Sequence, residues 1–349
     1  MKKKYNLCYD VLTILACLMV VFFHANRIIN TYSDTLSWKI SVVVRCIVYS
    51  AIPIFFMLTG AKLMEYRQRY STKEYVQKRL ARIGIPFLFW NLFSMVYQRI
   101  QMPNASFHSF KEFISMFLNS AFQDSYWFFF PLFSVYAAIP VISLILQVED
   151  HRKYLWYTVY TIFALNWVLK PLCSLAGIVY NTYLTMPISG GFLVYVLFGY
   201  LVSTEQWCRW KRVVLYLLAV ASGIFTIIYT IQTSAANEAT VLSMVNYQYF
   251  PSALTGAAIF VFVKHLFDKP ETGEAFARRN KLVQLIRIVS GCCMGVWLTH
   301  CLALGIASSL LGLSASSYVY RFLLPPVIFA GCAFGVWIIK KIPVLKKIV

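Results

Sequence analysis

The chain contains 349 residues, of which 60% are hydrophobic and only 13% are charged. A soluble globular domain carries about 25% charged residues, so this composition, with its apolar runs of about 20 residues, excludes a water-soluble protein. The formal net charge is +19, but the basic residues stand at the ends of the apolar runs rather than in one patch. We therefore expect a polytopic membrane protein surrounded by lipids, with no nucleic-acid partner.

Apolar segments and turn residues predict ten membrane spans in an all-α fold. The expected spans are residues 9–27, 40–60, 85–101, 126–146, 154–172, 188–203, 213–232, 249–267, 288–311 and 318–339. The loops between them are too short for a second folded unit. We therefore expect residues 1–349 to form a single integral membrane domain.

The distribution of Lys and Arg predicts the orientation of these spans. A cytoplasmic N-terminus places 25 of the 32 basic residues on the cytoplasmic side, where loops of membrane proteins are enriched in them. This split predicts an even span count, cytoplasmic N- and C-termini and a multi-pass protein of the plasma membrane. The first span follows Lys2, Lys3 and Lys4, is too long for a signal peptide and lacks a cleavage motif, so we expect it to be retained.

The nine cysteines are an odd number, lie mostly within apolar runs and form no C-x-x-C motif. Disulfide frameworks and zinc sites usually show paired cysteines at short spacings. We therefore interpret these cysteines as small buried side chains, and we predict no metal site and no permanently bound cofactor.

The first span carries Asp10 near its beginning and His24 near its end. The fourteen residues from one to the other cover about 21 Å of a hydrocarbon core about 30 Å thick, which places His24 deep in the outer half. An ionisable group at that depth is costly unless it faces a polar cavity, and an imidazole can accept a hydroxyl proton near neutral pH. We interpret His24 as a general base, with a hydrogen-bonded structural histidine as the alternative.

The loop after the second span is the most charged part of the chain. Thr72 is expected to cap a short surface helix that ends before Pro86. Arg79 and Arg82, three residues apart, share one face of this helix. Guanidinium groups bind phosphates in bidentate geometry, so the pair is a candidate site for an anionic cytosolic ligand. A solvated surface beside lipid is the alternative.

Arg45 and His300 are further ionisable residues inside predicted spans. Arg45 lies near the outer end of its span, where a snorkelling structural arginine is an equally good interpretation. Thr299 and nearby backbone groups can satisfy His300 in a packed interior. None of the thirteen acidic residues is expected near the bilayer centre, which disfavours a proton- or cation-coupled transporter.

Several short motifs, in this order, resemble the acyltransferase-3 family, the ten-span membrane O-acyltransferases that modify cell-surface polysaccharides and related glycans. The resemblance covers nearly the whole chain. It rests on Asp10 with His24, Phe55 to Gly60, Lys78, Arg79 and Arg82 followed by Pro86, Tyr126 to Phe128 leading to Tyr136, Val196 to Tyr200, Ser290, and Val296 to His300.

The resemblance implies that acetyl-CoA or another acyl-CoA binds from the cytosol as co-substrate, with its phosphates near Arg79 and Arg82. It implies catalytic roles for His24 and Asp10, with His24 deprotonating a hydroxyl of an extracytoplasmic or lipid-linked saccharide. Candidates for the acceptor side are Arg45, Trp127, Tyr136 and His300. Two of these are aromatic residues, whose ring faces stack on sugar rings.

Thr13 stands where the family has an arginine, eleven residues before His24 and on the same helix face. We count it among the donor-binding candidates, although it supplies a hydroxyl and no charge. This departure favours an alternative from another class, a transporter or flippase of a small solute or glycan lipid without acyl chemistry. A membrane module that serves only as partner of a separate synthase is a third interpretation.

Overall fold

The computed structural model describes residues 5–101, 109–184, 186, 191–267 and 279–349. Lys2, Lys3, Lys4, residues 188–190 of the expected sixth span and residues 268–278 of a basic loop lie outside the described residues. The described chain is helical and contains no strand, which confirms the all-α prediction. The α-helices are α1 (Leu7–Ala25), α2 (Leu36–Val48), α3 (Ala51–Leu63), α4 (Thr72–Arg79), α5 (Ile85–Gln101), α6 (Phe110–Leu118), α7 (Phe129–Ile142), α8 (His151–Ile162), α9 (Lys170–Leu175), α10 (Leu193–Thr204), α11 (Arg209–Asn237), α12 (Phe250–Phe267), α13 (Lys281–Leu311) and α14 (Leu324–Lys341).

Nine helical segments in the described ranges are long and apolar enough to cross a membrane, so this is a multi-pass membrane protein. They are Leu7–Ala25, Leu36–Gln68, Thr72–Ile100, Asp124–Gln147, His151–Leu175, Arg209–Asn237, Phe250–Phe267, Lys281–Leu311 and Val319–Lys341. Several of them join two α-helices through a short 3₁₀ or π segment. Helix α10 is a shorter apolar helix of 12 residues.

The charged stretch around Arg79 is not a separate surface helix, so that prediction was wrong. Helix α4 continues through a π-turn, Leu80–Gly84, directly into α5. Pro86 lacks the amide donor of an ordinary helical residue, and the π-turn just before it accommodates this within one continuous segment. The N-cap is Ser71 rather than Thr72, because the Ser71 hydroxyl accepts from the Glu74 amide in a capping box.

Helix α1 lies at the centre of the bundle and packs against α3, α12, α13 and α14. Helices α1 and α13 run in the same direction, because Asp10 contacts Ser290 near their beginnings and His24 contacts His300 further along. We refer to these two levels of the bundle as the Asp10 end and the His24 end. Any chemistry that links the two ends therefore lies along α1 and α13.

Helices α3 and α10 pack with their backbones in contact at two glycines. A Cβ atom on Gly60 would lie 1.8 Å from the carbonyl oxygen of Val196, and one on Gly199 would lie 2.1 Å from that of Met57. Small residues allow such close approach of helices inside a membrane. The contact fixes α3, which carries Lys62 in its last turn, against the rest of the bundle.

Candidate functional site

A cavity of about 310 Å³ lies between α1, α3, α4, α7 and α13 at the Asp10 end. Four positive side chains line it, and no Asp or Glu is found among its lining residues in the described chain. They are Lys62, Arg69, Arg79 and Arg82. We call this space the cationic cavity. Lys62, Arg69 and Arg79 are half-buried and Arg82 is exposed. Clustered like charges favour an anion with several charges, because it offsets their mutual repulsion.

Arg79 and Arg82 both reach the cationic cavity from the continuous segment formed by α4 and the π-turn. The Arg79 guanidinium lies 5.9 Å from the ring centre of Tyr136 on α7. Arg69 donates a hydrogen bond of 2.7 Å to the carbonyl oxygen of Lys62, which leaves its other nitrogens for a ligand. The helical spacing of Arg79 and Arg82 is what places both in one cavity.

Lys62 was missed by the sequence analysis, which treated it only as a loop charge. Its Nζ atom donates a hydrogen bond of 3.1 Å to Oγ1 of Thr13, which also lines the cavity. The positive charge that Thr13 lacks is therefore supplied from α3. A sequence signal existed, since Lys62 ends an otherwise apolar segment two residues after Gly60.

Asp10 and His24 lie at opposite ends of α1, as the helical rise predicts. Asp10 accepts a hydrogen bond of 2.8 Å from the Ser290 hydroxyl at the Asp10 end. His24 lies fourteen residues further along α1, about 21 Å away along the helix axis. The hydrogen bond ties α1 to α13, so the role that the geometry gives Asp10 is positional.

His24 at the other end is part of a cluster with two residues of α13. The ring centres of His24 and His300 are 5.0 Å apart. Sγ of Cys301 lies 3.3 Å from Nε2 of His300, and the side-chain nitrogen and sulfur atoms of all three residues lie within 4.8 Å of one another. Two imidazoles and a thiol are also ligand types for a soft cation. The pairing was missed because His300 and Cys301 were considered only within their own span.

The protonation states in this cluster follow from neighbouring groups that can only donate or can only accept a hydrogen bond. Nδ1 of His300 lies 2.8 Å from the carbonyl oxygen of Trp297 and 3.1 Å from that of Val296, so it carries the proton. Nδ1 of His24 lies 3.4 Å from a guanidinium nitrogen of Arg27, which can only donate. In the neutral ring the proton of His24 therefore sits on Nε2, and Nδ1 is the basic atom.

Arg27 connects His24 with the outside of the bundle. Its guanidinium lies 3.5 Å from a carboxylate oxygen of Asp124, and the two side chains are 52% and 77% exposed. His24 is half-buried beneath them. An acceptor hydroxyl can therefore reach Nδ1 by taking the place of Arg27.

Several aromatic side chains lie beside His24. Two of the predicted acceptor-side residues, Arg45 and Trp127, lie among them. The Arg45 guanidinium lies 4.0 Å above the ring of Phe23. Tyr247 stacks on Tyr49 with ring centres 3.8 Å apart and on Trp127 at 5.4 Å. Burial raises the pKa of the Tyr247 phenol above its usual range, so its hydroxyl stays protonated and can donate.

Tyr136 does not lie in this aromatic group, although it was predicted on the acceptor side. It lines the cationic cavity with Arg79 and Arg82. Tyr136 follows Asp124 by twelve residues, which is about 18 Å of helix and carries it to the Asp10 end. Its nearness in sequence to Trp127 was misleading.

Three aromatic rings lie between the cationic cavity and the His24 cluster. The ring of Trp297 packs 5.0 Å from that of Phe55 and 4.4 Å from that of Phe128, and all three line the cavity. His24 is not among the lining residues that the structure describes for this cavity. Trp297 precedes His300 by one helical turn, so these rings separate the two parts of the site.

A fully buried arginine, also missed, fixes the end of α1. Arg321 has an exposed fraction of 0%. It donates to Oδ1 of Asn26 at 2.8 Å and to the hydroxyl of Ser37 at 2.6 Å. Asn26 in turn donates to the carbonyl oxygen of Ser41. Because Asn26 caps α1 two residues after His24, this network sets the position of the His24 ring.

Comparison with known proteins agrees with the motifs. A family model described as an acyltransferase domain matches residues 6–339, nearly the whole chain. The comparisons returned no matching curated protein and no matching solved structure. A match of this extent covers the helices that build the two parts of the site, α1, α3, α4, α7 and α13. The chain therefore belongs to the acyltransferase-3 family as a multi-pass membrane acyltransferase.

Proposed function

We propose that the protein transfers an acyl group, in the simplest case acetyl, from cytosolic acyl-CoA to a hydroxyl of an extracytoplasmic or lipid-linked saccharide. The observation that carries the proposal is the arrangement along α1. One helix presents Thr13 to a cavity lined by four cations and presents His24 beside an exposed ion pair at the other end. A donor that stays on one side can thus serve an acceptor on the other.

The topology that this function needs has ten spans, with both termini in the cytoplasm of a plasma-membrane protein. Six of the nine long apolar segments lie between α1 and α13, and an even number of crossings between them would make these two helices antiparallel. They are parallel, as the contacts of Asp10 with Ser290 and of His24 with His300 require. Counting α10 as a seventh crossing would make the two helices parallel, which supports ten spans, and the excess of Lys and Arg on the Asp10 side supports the orientation.

The donor is proposed to bind with its phosphates in the cationic cavity. Coenzyme A carries a diphosphate and a further phosphate group, and guanidinium groups bind phosphates through paired, charge-assisted hydrogen bonds. Arg69, Arg79 and Arg82 supply such groups, and Lys62 adds a charge beside Thr13. The acyl arm would extend from there toward Trp297.

The acceptor is proposed to enter at the His24 end, where the half-buried ring of Trp127 is the candidate for stacking on a sugar. Nδ1 of His24 accepts the proton of the acceptor hydroxyl, as a base does when it lies within hydrogen-bond reach. The oxygen forms a bond to the thioester carbonyl carbon, and the carbon–sulfur bond to the donor breaks. The proton taken up by His24 passes to the leaving thiolate, so the products are an ester and a free thiol and the imidazole is neutral again.

The Lys62–Thr13 contact removes the main sequence argument for a transporter without acyl chemistry. That alternative drew on the missing arginine at position 13, and a cation from α3 hydrogen-bonds to Thr13 at that position. The transporter hypothesis therefore has no specific observation in its favour and becomes an outcome of the test below.

The test uses inside-out membrane vesicles that contain the full chain and receive radiolabelled acetyl-CoA. We expect base-labile label in the saccharide-bearing lipid fraction and free CoA in solution, with both lost in His24→Ala. His265→Ala, an exposed histidine, is the matched control and should be unaffected. Unchanged transfer in His24→Ala would remove the proposed base. Failure of acetyl-CoA to raise the melting temperature of the purified protein, with stabilisation by a glycan lipid, would favour transport instead.

A further inference from the structure

The thiol of Cys301 lies between the two imidazoles of the His24 cluster. Its Sγ atom lies 3.3 Å from Nε2 of His300 and within 4.8 Å of a ring nitrogen of His24. Cys301 is half-buried, and none of the nine cysteines of the chain forms a disulfide. Neither the aromatic acceptor group nor the cationic cavity uses it.

The hydrogen bonds in this cluster have one consistent direction. Nε2 of His300 has no proton, because Nδ1 of the same ring donates to the carbonyl oxygens of Trp297 and Val296. The Cys301 thiol therefore donates to Nε2 of His300, and a ring nitrogen of His24 lies within 4.8 Å of the same sulfur. One proton transfer to His300 converts Cys301 to a thiolate that lies beside two imidazole rings. A cysteine paired with a base in this way is an activated nucleophile.

The same hydrogen-bond directions disfavour a metal site at these three residues. A metal ligand must offer a lone pair, and His24 already uses the lone pair of Nδ1 toward Arg27 at 3.4 Å. Binding a cation through Nε2 would then leave the ring with no proton at all. A nucleophile flanked by two proton carriers accounts for every contact without this conflict.

Cys301 also lies between the end of the cationic cavity and the basic nitrogen of His24. Trp297, which closes the cationic cavity, precedes Cys301 by one helical turn, about 6 Å. Nδ1 of His24 faces Arg27 and the exposed end. Cys301 is therefore the nucleophilic side chain that lies between the end of the donor cavity and the acceptor-side base.

From this geometry we propose that Cys301 carries the acyl group as a thioester, so that transfer occurs in two half-reactions. The inference rests on the acyltransferase function proposed above and adds a covalent step to it. The acyl group passes the aromatic rings while CoA remains in the cavity. The donor and the acceptor then never need to occupy the site together.

In the first half-reaction the Cys301 proton moves to Nε2 of His300 and the sulfur forms a bond to the acyl carbon. The bond between that carbon and the CoA sulfur breaks, and His300 returns the proton to the CoA thiolate. In the second, the acceptor hydroxyl gives its proton to Nδ1 of His24 and its oxygen forms the ester. The bond from the acyl carbon to Cys301 breaks, and the proton on Nε2 of His24 restores the thiol.

The experiment incubates purified full-length protein with radiolabelled acetyl-CoA and no acceptor. We expect about one acetyl group per chain, released by neutral hydroxylamine as thioesters are, and located on the peptide that contains Cys301 by mass spectrometry. Cys301→Ala and Cys301→Ser should lose this labile label. Cys173→Ala, another half-buried free cysteine, is the matched control and should keep it.

His24→Ala separates the two half-reactions. Because the first uses His300, this variant should still acquire label and should fail to pass it to vesicle saccharides. Labelled wild-type protein, freed of acetyl-CoA, should transfer its label when acceptor-bearing vesicles are added. Unlabelled wild-type protein that still transfers acetyl groups would overturn the covalent step and leave the acyltransferase function intact.

Three other outcomes are also decisive. Full acceptor-dependent transfer by Cys301→Ala would exclude the thioester while supporting direct attack with His24 as base. Stoichiometric zinc in the purified protein, lost in Cys301→Ala, would show a metal site and overturn the proposal. If wild-type protein neither labels nor releases CoA with vesicles present, the proposed acyltransferase function itself fails.

Discussion

The ammonium group of Lys62 donates a hydrogen bond of 3.1 Å to the hydroxyl of Thr13, which joins α3 to α1 at the wall of the cationic cavity. The two residues are 49 positions apart in sequence. Together they supply the charge and the position that a single arginine on α1 would supply. If this is how the chain holds a negatively charged donor, a positive charge at position 13 should be able to replace the one at position 62.

Replacing Lys62 by Met should weaken binding of acetyl-CoA by roughly 10-fold, because one charge-assisted hydrogen bond contributes about 1.5 kcal/mol. The double variant Lys62→Met with Thr13→Arg should recover most of the loss. Binding is measured by the concentration of acetyl-CoA that half-saturates the rise in melting temperature. Loss of binding in the single variant without recovery in the double variant would contradict the exchange.

Arg79→Gln and Arg82→Gln should each raise the KM for acetyl-CoA by roughly 10- to 100-fold, since a hydrogen bond between charged groups contributes about 1.5–3 kcal/mol. The value of kcat should change little, because phosphates remote from the thioester contribute similar binding in the ground and transition states. Arg99→Gln, exposed and absent from the cavity lining, is the control. A loss of kcat with unchanged KM would place these arginines elsewhere in the mechanism.

The sequence was sufficient to predict the relative positions of residues that lie on one helix. The spacing of Arg79 and Arg82 placed both on one helix face, and the rise per residue placed His24 far from Asp10 along α1. These relationships are local, because they depend on one helix and its period. The all-α membrane fold was predictable for the same reason, since apolar run length determines it.

The parts that the sequence analysis missed are contacts between helices that are distant along the chain. Lys62 reaches Thr13 across the contact of α3 with α1, which brings together positions 49 residues apart. Cys301 adjoins His24 only because α1 and α13 run parallel. Tyr136 was assigned to the wrong end because nearness to Trp127 in sequence was taken for nearness in space.

Gly60→Ala should lower the melting temperature of the protein in detergent, with a loss of about 1–3 kcal/mol in unfolding free energy from forced overpacking. Its Cβ atom would meet a backbone carbonyl oxygen, which cannot rotate away as a side chain can. Gly223→Ala is the matched control, because nothing lies within 4 Å of its Cβ position on α11. Equal melting temperatures for the two variants would contradict the close contact of α3 with α10.

Arg321→Met should lower both stability and activity, although Arg321 contacts neither the cavity nor the His24 ring. The substitution keeps an apolar stem but leaves Oδ1 of Asn26 and the hydroxyl of Ser37 without their donor, at a cost of about 1–3 kcal/mol each. Because Asn26 caps α1 two residues after His24, a displaced cap shifts the base relative to Cys301 and the acceptor. We therefore expect kcat to fall by more than 10-fold at a temperature where the variant remains folded, with little change in acetyl-CoA binding. Arg321→Lys retains one donor and should recover part of kcat. A variant that binds donor normally and turns over at the wild-type rate would show that the buried arginine stabilises the fold without positioning the base.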